Sequence, residues 1–369
     1  MIRTLYNLIS NYKFSYCVII TGFFLNACEE DQVSIQPTLV QTSTASVLQD
    51  EFQNEKFVVY NNLQFDILVA YDRELNGNIL DFHPSDSLPA ILEDNLGNHW
   101  NVFGESISGP NRGARLNFLH QVKAYWFSIA AFYAEVSLYS EGVEKELLET
   151  EQKDGWLIDT DFIVQAAAPN AIPAIYNPDF KEIGTKEMFI DGNHKQSDLI
   201  LAVRINGEER IYPERVLEYH EIVNDVIQST NVTISFCPLT GTGYCWDRQD
   251  RNYYVSGLLH NANLILNDWE TNSQWSQIYG KSVFGPDKET EIDQIPIIEM
   301  NWEGRTLLNT NKSLYTGQDL PAGGPYESYK TSNSIGFPVS FTDSRLLAKE
   351  KVLAVIINGK AKVYRANDF

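Results

Sequence analysis

The chain repeats itself with its ends displaced, so its fold must bring the two ends together to complete one of the copies. Leu92 to Tyr139 contains Trp100, Gly104, Ser106, Gly109-Pro110 and Ser137-Leu138-Tyr139. About 175 residues later Trp275, Gly280, Ser282, Gly285-Pro286 and Ser313-Leu314-Tyr315 recur in the same order. Asp72-Arg73 and Asp247-Arg248 extend the match upstream. A second match has another offset: Leu201-Ala202-Val203-Arg204-Ile205-Asn206-Gly207 returns as Leu353-Ala354-Val355-Ile356-Ile357-Asn358-Gly359, and Tyr212 answers Tyr364. The order is a second half-unit, a whole unit, then a first half-unit. This predicts two similar lobes, one assembled from both chain ends, with the segment after Asn358-Gly359 beside Phe57 to Tyr60, as in a circular permutation between neighbouring termini.

Leu199 to Ile205 and Val232 to Phe236 are short β-branched or bulky apolar runs, and Asn206-Gly207 and Asn358-Gly359 are hairpin turns, so these segments read as strands. Pro213 suits the first turn of a short helix through Val216 and Leu217, and Tyr125 to Tyr133 is apolar enough for a buried helix. The expected fold is mainly β with a few short helices. Its parts are a leader at 1–27, a tether at 28–52, the second half-unit at 53–140, a connector at 141–183, the complete unit at 184–316 and the first half-unit at 317–369.

The leader has Arg3 and Lys13 followed by an apolar run from Phe14 to Leu25, too short to span a bilayer as a stable helix. It ends in Leu25-Asn26-Ala27-Cys28, which resembles a bacterial lipobox and makes Cys28 the expected lipid anchor. Glu29-Glu30-Asp31 resembles the surface-export signal of some Gram-negative lipoproteins, so the expected location is the periplasmic face or the cell surface. A Ser, Thr and Gln-rich stretch to about Phe52 suits a flexible tether. The net charge of -21 repels phosphate backbones and makes nucleic acid an unfavourable partner.

Cys17 leaves with the leader and Cys28 carries lipid, which leaves Cys237 and Cys245, close enough in sequence for a hairpin disulfide but not requiring one. The copies act as mutual controls: Cys237 falls opposite Asn62 and Cys245 opposite Ala70. Cys245 thus reads as a small buried residue, and the turn Cys237-Pro238-Leu239-Thr240-Gly241-Thr242 belongs to one lobe alone. A thiolate there needs a partner. His220 is the natural candidate, with Asp225 or Glu221 orienting its ring; the same histidine could instead cap its helix or join a buried network. His260 is a weaker candidate, while His83, His99, His120 and His194 read as loop residues. Asn261, Asn263 and Asp268 could add polar groups.

At Tyr212-Pro213, His220 to Asp225, Cys237 to Thr242, Ser256-Gly257-Leu258 and Trp275-Ser276-Gln277 the chain resembles the bacterial family called domain of unknown function 3179, from roughly Ile172 to Tyr315. The segment around Trp100, Gly109-Pro110 and Tyr125-Trp126-Phe127 resembles what usually lies near the C-terminal end of such proteins. The resemblance implies an exported, frequently lipid-anchored protein of no assigned activity, some members being labelled as selenoprotein candidates. It favours redox use of the cysteine position. Many members carry a second cysteine where this chain has Thr240, and a tyrosine where it has His260, which speaks against dithiol exchange here and against His260 as an essential ligand.

Three functions compete. One is monothiol redox or nucleophilic chemistry, with Cys237 attacking, His220 as base or ion partner, and Thr240, Thr242 or nearby N–H groups stabilising an anion. The second is copper or zinc bound by Cys237, His220 and His260 or an Asp, with Met188 and Met300 as soft axial ligands. The third is a non-catalytic lipoprotein that binds a small molecule or protein, with aromatic residues around Trp246, Trp269 and Trp275 lining a cleft or filling the core. Phosphate-binding glycine loops, Ser-His-Asp motifs and dinucleotide fingerprints are absent from the sequence.

Overall fold

The computed structural model describes residues 38–41, 44–133, 135–139, 154–182, 196–310, 312–315 and 324–369. The leader, Cys17, Cys28, Met188 and His194 lie outside these. The protein is mainly β, built among the described residues of six sheets of four or five strands in a propeller-like arrangement, with one further two-stranded ribbon, Glu74–Leu75 and Asn78–Ile79. Among the described residues no helix is long and apolar enough to cross a membrane.

The sheets fall into two matching sets of three. Sheet 1 runs Ala45–Phe52, Glu55–Asn62 and Ile67–Asp72; sheet 1′ runs Ile222–Ile227, Thr230–Cys237 and Thr242–Asp247 in the same order. Their registers agree residue for residue: Asn62 faces Ile67 as Cys237 faces Thr242, and Val59 faces Ala70 as Ile234 faces Cys245. Sheet 2 (Phe82–Pro84, Leu92–Asp94, His99–Trp100, Ser106–Ser108) answers sheet 2′ (Tyr253–His260, Asn263–Asp268, Gln274–Ser276, Lys281–Phe284). In sheet 3 the chain's last hairpin, Lys351–Ile357 and Lys360–Arg365, sits between Gln121–Tyr125 and Val136–Leu138. Sheet 3′ has the same order: Ile297–Asn301, Leu199–Ile205, Glu208–Pro213 and Lys312–Tyr315.

The same side chains join the same sheets in each set. Asp50 takes the Lys362 ammonium at 2.7 Å and the Tyr364 hydroxyl at 2.8 Å, tying sheet 1 to the last hairpin. Asp225 takes the Arg210 guanidinium at 2.5 Å and the Tyr212 hydroxyl at 2.6 Å, tying sheet 1′ to sheet 3′. Tyr364 also packs edge-on against Phe57. Trp100 and Trp275 are buried and donate to Asp94 at 3.0 Å and Asp268 at 2.8 Å. These paired ions and indoles are therefore framework, as buried charges must be. Asp225, read from the sequence as a partner of the thiol site, is one of them.

Two segments depart from the sequence reading. Residues 45–52, assigned to the tether, form a buried strand whose polar side chains have partners: Gln49 accepts from the Phe82 N–H and Asp50 holds its ion pair. Composition alone cannot register such pairing. The connector likewise adds one edge strand to each sheet of the second set, Ile163–Gln165 to sheet 2′, Ile175–Tyr176 to sheet 1′ and Asp179–Glu182 to sheet 3′. The short helices stand where the sequence puts them. Trp126–Phe132 is buried throughout, and Glu214–His220 starts after Pro213 and ends at Glu221 with a positive φ.

Candidate functional site

Side chains alternate across a sheet, so the pairing of Cys237 with Thr242 and of Ile234 with Cys245 puts the two cysteines on opposite faces of sheet 1′. Both are free thiols in separate cores. No disulfide joins them. Cys245 sits against Ile234 and Phe236, as a small apolar residue would.

Cys237 ends its strand at the turn through Thr242, where Gly241 takes φ +63 as Asp66 takes φ +52 in the copy. The thiol is 1% exposed and points at the Ala262 carbonyl, 3.7 Å away. The Thr240 and Leu264 N–H groups face the sulfur and favour its charged form. Burial, followed by the nearby Glu221 carboxylate, nevertheless pushes the thiol up to about 11. The copy explains the geometry: Asn62 Oδ1 accepts from the Phe65 N–H at 3.0 Å, the bond that Thr240 N–H makes to Cys237. Sulfur thus does the turn-closing work of an amide oxygen.

The charged neighbour of the thiol is Glu221 rather than His220. The helix Glu214–His220 ends so that His220 Nδ1 lies 2.9 Å from the Pro173 carbonyl, while Glu221, past the helix end, turns inward. Burial raises the Glu221 carboxyl to about 7, and Tyr326 donates to it at 3.5 Å. The turn's carbonyls are bonded too: Leu239 O accepts from the Tyr329 hydroxyl at 2.8 Å, Thr240 O from the Tyr125 N–H at 2.8 Å, and Gly241 O from Lys351 at 2.6 Å. Glu299 lies between Lys351 at 2.8 Å and Lys123 at 3.1 Å. Glu214, buried close by, is raised by burial to about 8, with Oε1 unpartnered.

Beside the turn is a fully buried network. Thr240 and Thr242 hydroxyls are 2.9 Å apart, Thr242 donates to Gln277 Oε1 at 2.7 Å, and Asn263 Nδ2 reaches Thr240 Oγ1, Thr242 Oγ1 and Gln277 Oε1 at 2.9, 3.1 and 2.8 Å. Gln277 in turn donates to Ser235 at 3.0 Å. The positions of Thr240, Thr242 and Ser235 are held by Phe65, Ile67 and Tyr60 in the copy. Thr240 and Thr242 are therefore brought together with Cys237, as the sequence expects, whereas His220, Asp225 and His260 are not. His260 packs on Phe132, and its burial lowers the ring to about 4. Asn261 binds the Ser340 N–H, and Asp268 serves Trp275. Among the described residues no group of three His, Cys, Asp or Glu side chains is gathered to hold a metal.

The same face of sheet 1′ continues from Thr242 through Tyr244 to Trp246, and these two aromatic residues wall a pocket of about 300 Å³ with Phe118, His120 and Tyr279. Glu291, Asp293 and Gln294 complete it. Its counterpart in the first set is the place of Tyr71. Tyr71 there pairs with Phe118 as Trp246 pairs with Gln294, and the Phe118 ring packs edge-on against Tyr71, with Leu116 buried in the same core. Of the other tryptophans named above, Trp275 is buried and Trp269 is an exposed ring stacked on Tyr254.

The family model described as "Protein of unknown function (DUF3179)" matches residues 18–136 and 169–369. The chain belongs to this family. No curated protein and no solved structure matches it. The position where the resemblance puts a second cysteine is Thr240, whose hydroxyl bonds Thr242 and Asn263. Missed by the sequence reading were Ser235 and the pocket residues Tyr244, Tyr279, Glu291, Asp293 and Gln294; the difference between Gln294 and Phe118 is the signal that could have found them.

Proposed function

We propose that this chain is an exported lipoprotein, anchored through Cys28 at the periplasmic face or cell surface, that binds a small ligand in the pocket walled by Tyr244 and Trp246, with Cys237 as framework. One observation carries the reading: in the second half Gln294 stands at the place of Phe118, and it lines a pocket of about 300 Å³. A volume of about 300 Å³ is at the lower end for small-molecule sites, and polar groups of Glu291, Asp293 and Gln294 line it. The buried thiol, raised to about 11 and occupying the place of Asn62, supports a structural part for Cys237.

A monothiol reaction is the second reading, favoured by the two backbone N–H groups facing the sulfur, with Glu221 as the ionisable neighbour. Iodoacetamide labelling of the native chain, resolved by peptide mass spectrometry, separates the two. Framework Cys237 labels at least a hundredfold more slowly at pH 8 than in denaturant; labelling as fast as in denaturant would reinstate the reactive thiol. Cys28→Ala, which removes the lipidation site, is expected to release the chain from membranes. Its retention there would exclude this anchor.

A further inference from the structure

We infer that the exposed indole of Trp269 is a platform for the ring of a neutral hexopyranose, a second binding surface that shares no residue with the pocket beside Gln294. Trp269 is 55% exposed. Tyr254 stacks on one face of the indole, with centroids 4.0 Å apart, so the other face is open to solvent. The ring is also fixed in direction: its N–H donates to the Tyr176 hydroxyl at 2.8 Å, and that hydroxyl donates to the Tyr253 carbonyl at 3.3 Å. A ring already held in place loses little freedom when a ligand stacks on it.

The copy shows that the turn closes without this ring. Asn95 N–H bonds the Asp81 carbonyl as Trp269 N–H bonds the Asn252 carbonyl, which makes Asn95 the equivalent residue. Asn95 Oδ1 accepts from the Asp81 N–H at 3.1 Å; Glu270 does that work in the second set, accepting from the Asn252 N–H at 2.9 Å. His83, which faces Glu93, stands where Tyr254 faces Asn267. Trp269 and its stacking partner are therefore additions that the frame does not require. Two half-exposed rings, Trp269 and Tyr176, fall far short of the roughly 800 Å² per partner of a stable protein interface. They match one sugar ring, whose C–H face packs on an aromatic plane while its hydroxyls need polar partners at the rim. Exposed Asn272 accepts through Oδ1 from Asn267 at 2.7 Å and from the Tyr254 hydroxyl at 3.3 Å, which leaves its amide N–H groups to donate outward. Exposed Glu270 supplies acceptors. The net charge of -21 favours a neutral sugar over an acidic one.

Nuclear magnetic resonance of the tryptophan indole N–H groups of the full chain tests this, with methyl β-glucopyranoside and the acyclic polyol sorbitol as probes. The Trp269 signal is the one missing from Trp269→Ala. The glucoside is expected to move it saturably in the millimolar range, and sorbitol, which has the hydroxyls without the flat ring, should leave it in place. Tyr176→Phe releases the indole N–H and should weaken glucoside binding severalfold while the thermal midpoint holds. A signal that stays still, or that moves equally with sorbitol, overturns the inference. A dimer in light scattering that Trp269→Ala dissolves would assign the surface to a second copy of the chain instead. If the Trp246 signal alone moves, the pocket binds the sugar and the platform does not.

Discussion

Replacing Glu221 by glutamine should change the pH dependence of stability rather than its level at acid pH. Burial raises this carboxyl from the ordinary 4.5 to about 7 in the folded chain. The folded state therefore holds a proton that the unfolded state has lost between those values, so the stability it contributes is full below 4.5 and is lost as pH rises through about 7. At about 1.4 kcal/mol per pKa unit, the ionised group costs the folded state roughly 3 kcal/mol once fully charged. Glutamine keeps the shape and the Tyr326 bond without the charge. Urea midpoints of both chains at intervals from about pH 5 to about pH 8 should diverge, the variant gaining roughly 2 to 3 kcal/mol relative to wild type. Comparing the two cancels His260, whose lowered pKa acts in the opposite direction. Parallel curves, or a gain confined to acid pH, would refute the placement of Glu221 as a buried acid beside the thiol.

Thr240→Cys should form a disulfide between Cys237 and the introduced thiol on mild oxidation, since Thr240 lies beside the sulfur in the same turn; a mass unchanged after oxidation would contradict that turn geometry. Asp225→Asn and Asp50→Asn should each cost on the order of 3 kcal/mol in urea unfolding, because each leaves a partly buried cation and a buried tyrosine short of their charge partner. Loss of ligand binding by Asp225→Asn with stability intact would return that residue to a functional part.

The duplicated frame was legible because repeated motifs survive as strings: the Asn-Gly hairpins, the Trp residues with their Gly-Pro turns, and the displaced last hairpin all took their places in matching sheets. The ionic framework was less so. Asp50 and Asp225 are copies of one another, as are Lys362 and Arg210, but Asp50 lies in a stretch whose polar composition imitates a linker, and the second pair changes residue type. His220 failed for a different reason. A helix that ends on a left-handed residue reverses which neighbour faces the core, so one position separates an inward Glu221 from a His220 that reaches Pro173.

The two halves also show why comparing copies is a stronger guide than ranking reactive side chains. Cys237 drew notice as a thiol, yet its position is explained by a neutral amide doing the same bonding in the other half. Gln294 drew none, because the copies slip by one residue: Trp100 to Gly104 is answered by the longer Trp275 to Gly280, and only after that slip does Gln294 fall opposite Phe118. An interior is packed to near crystal density, so the pocket beside Gln294 costs contacts that an occupant would restore.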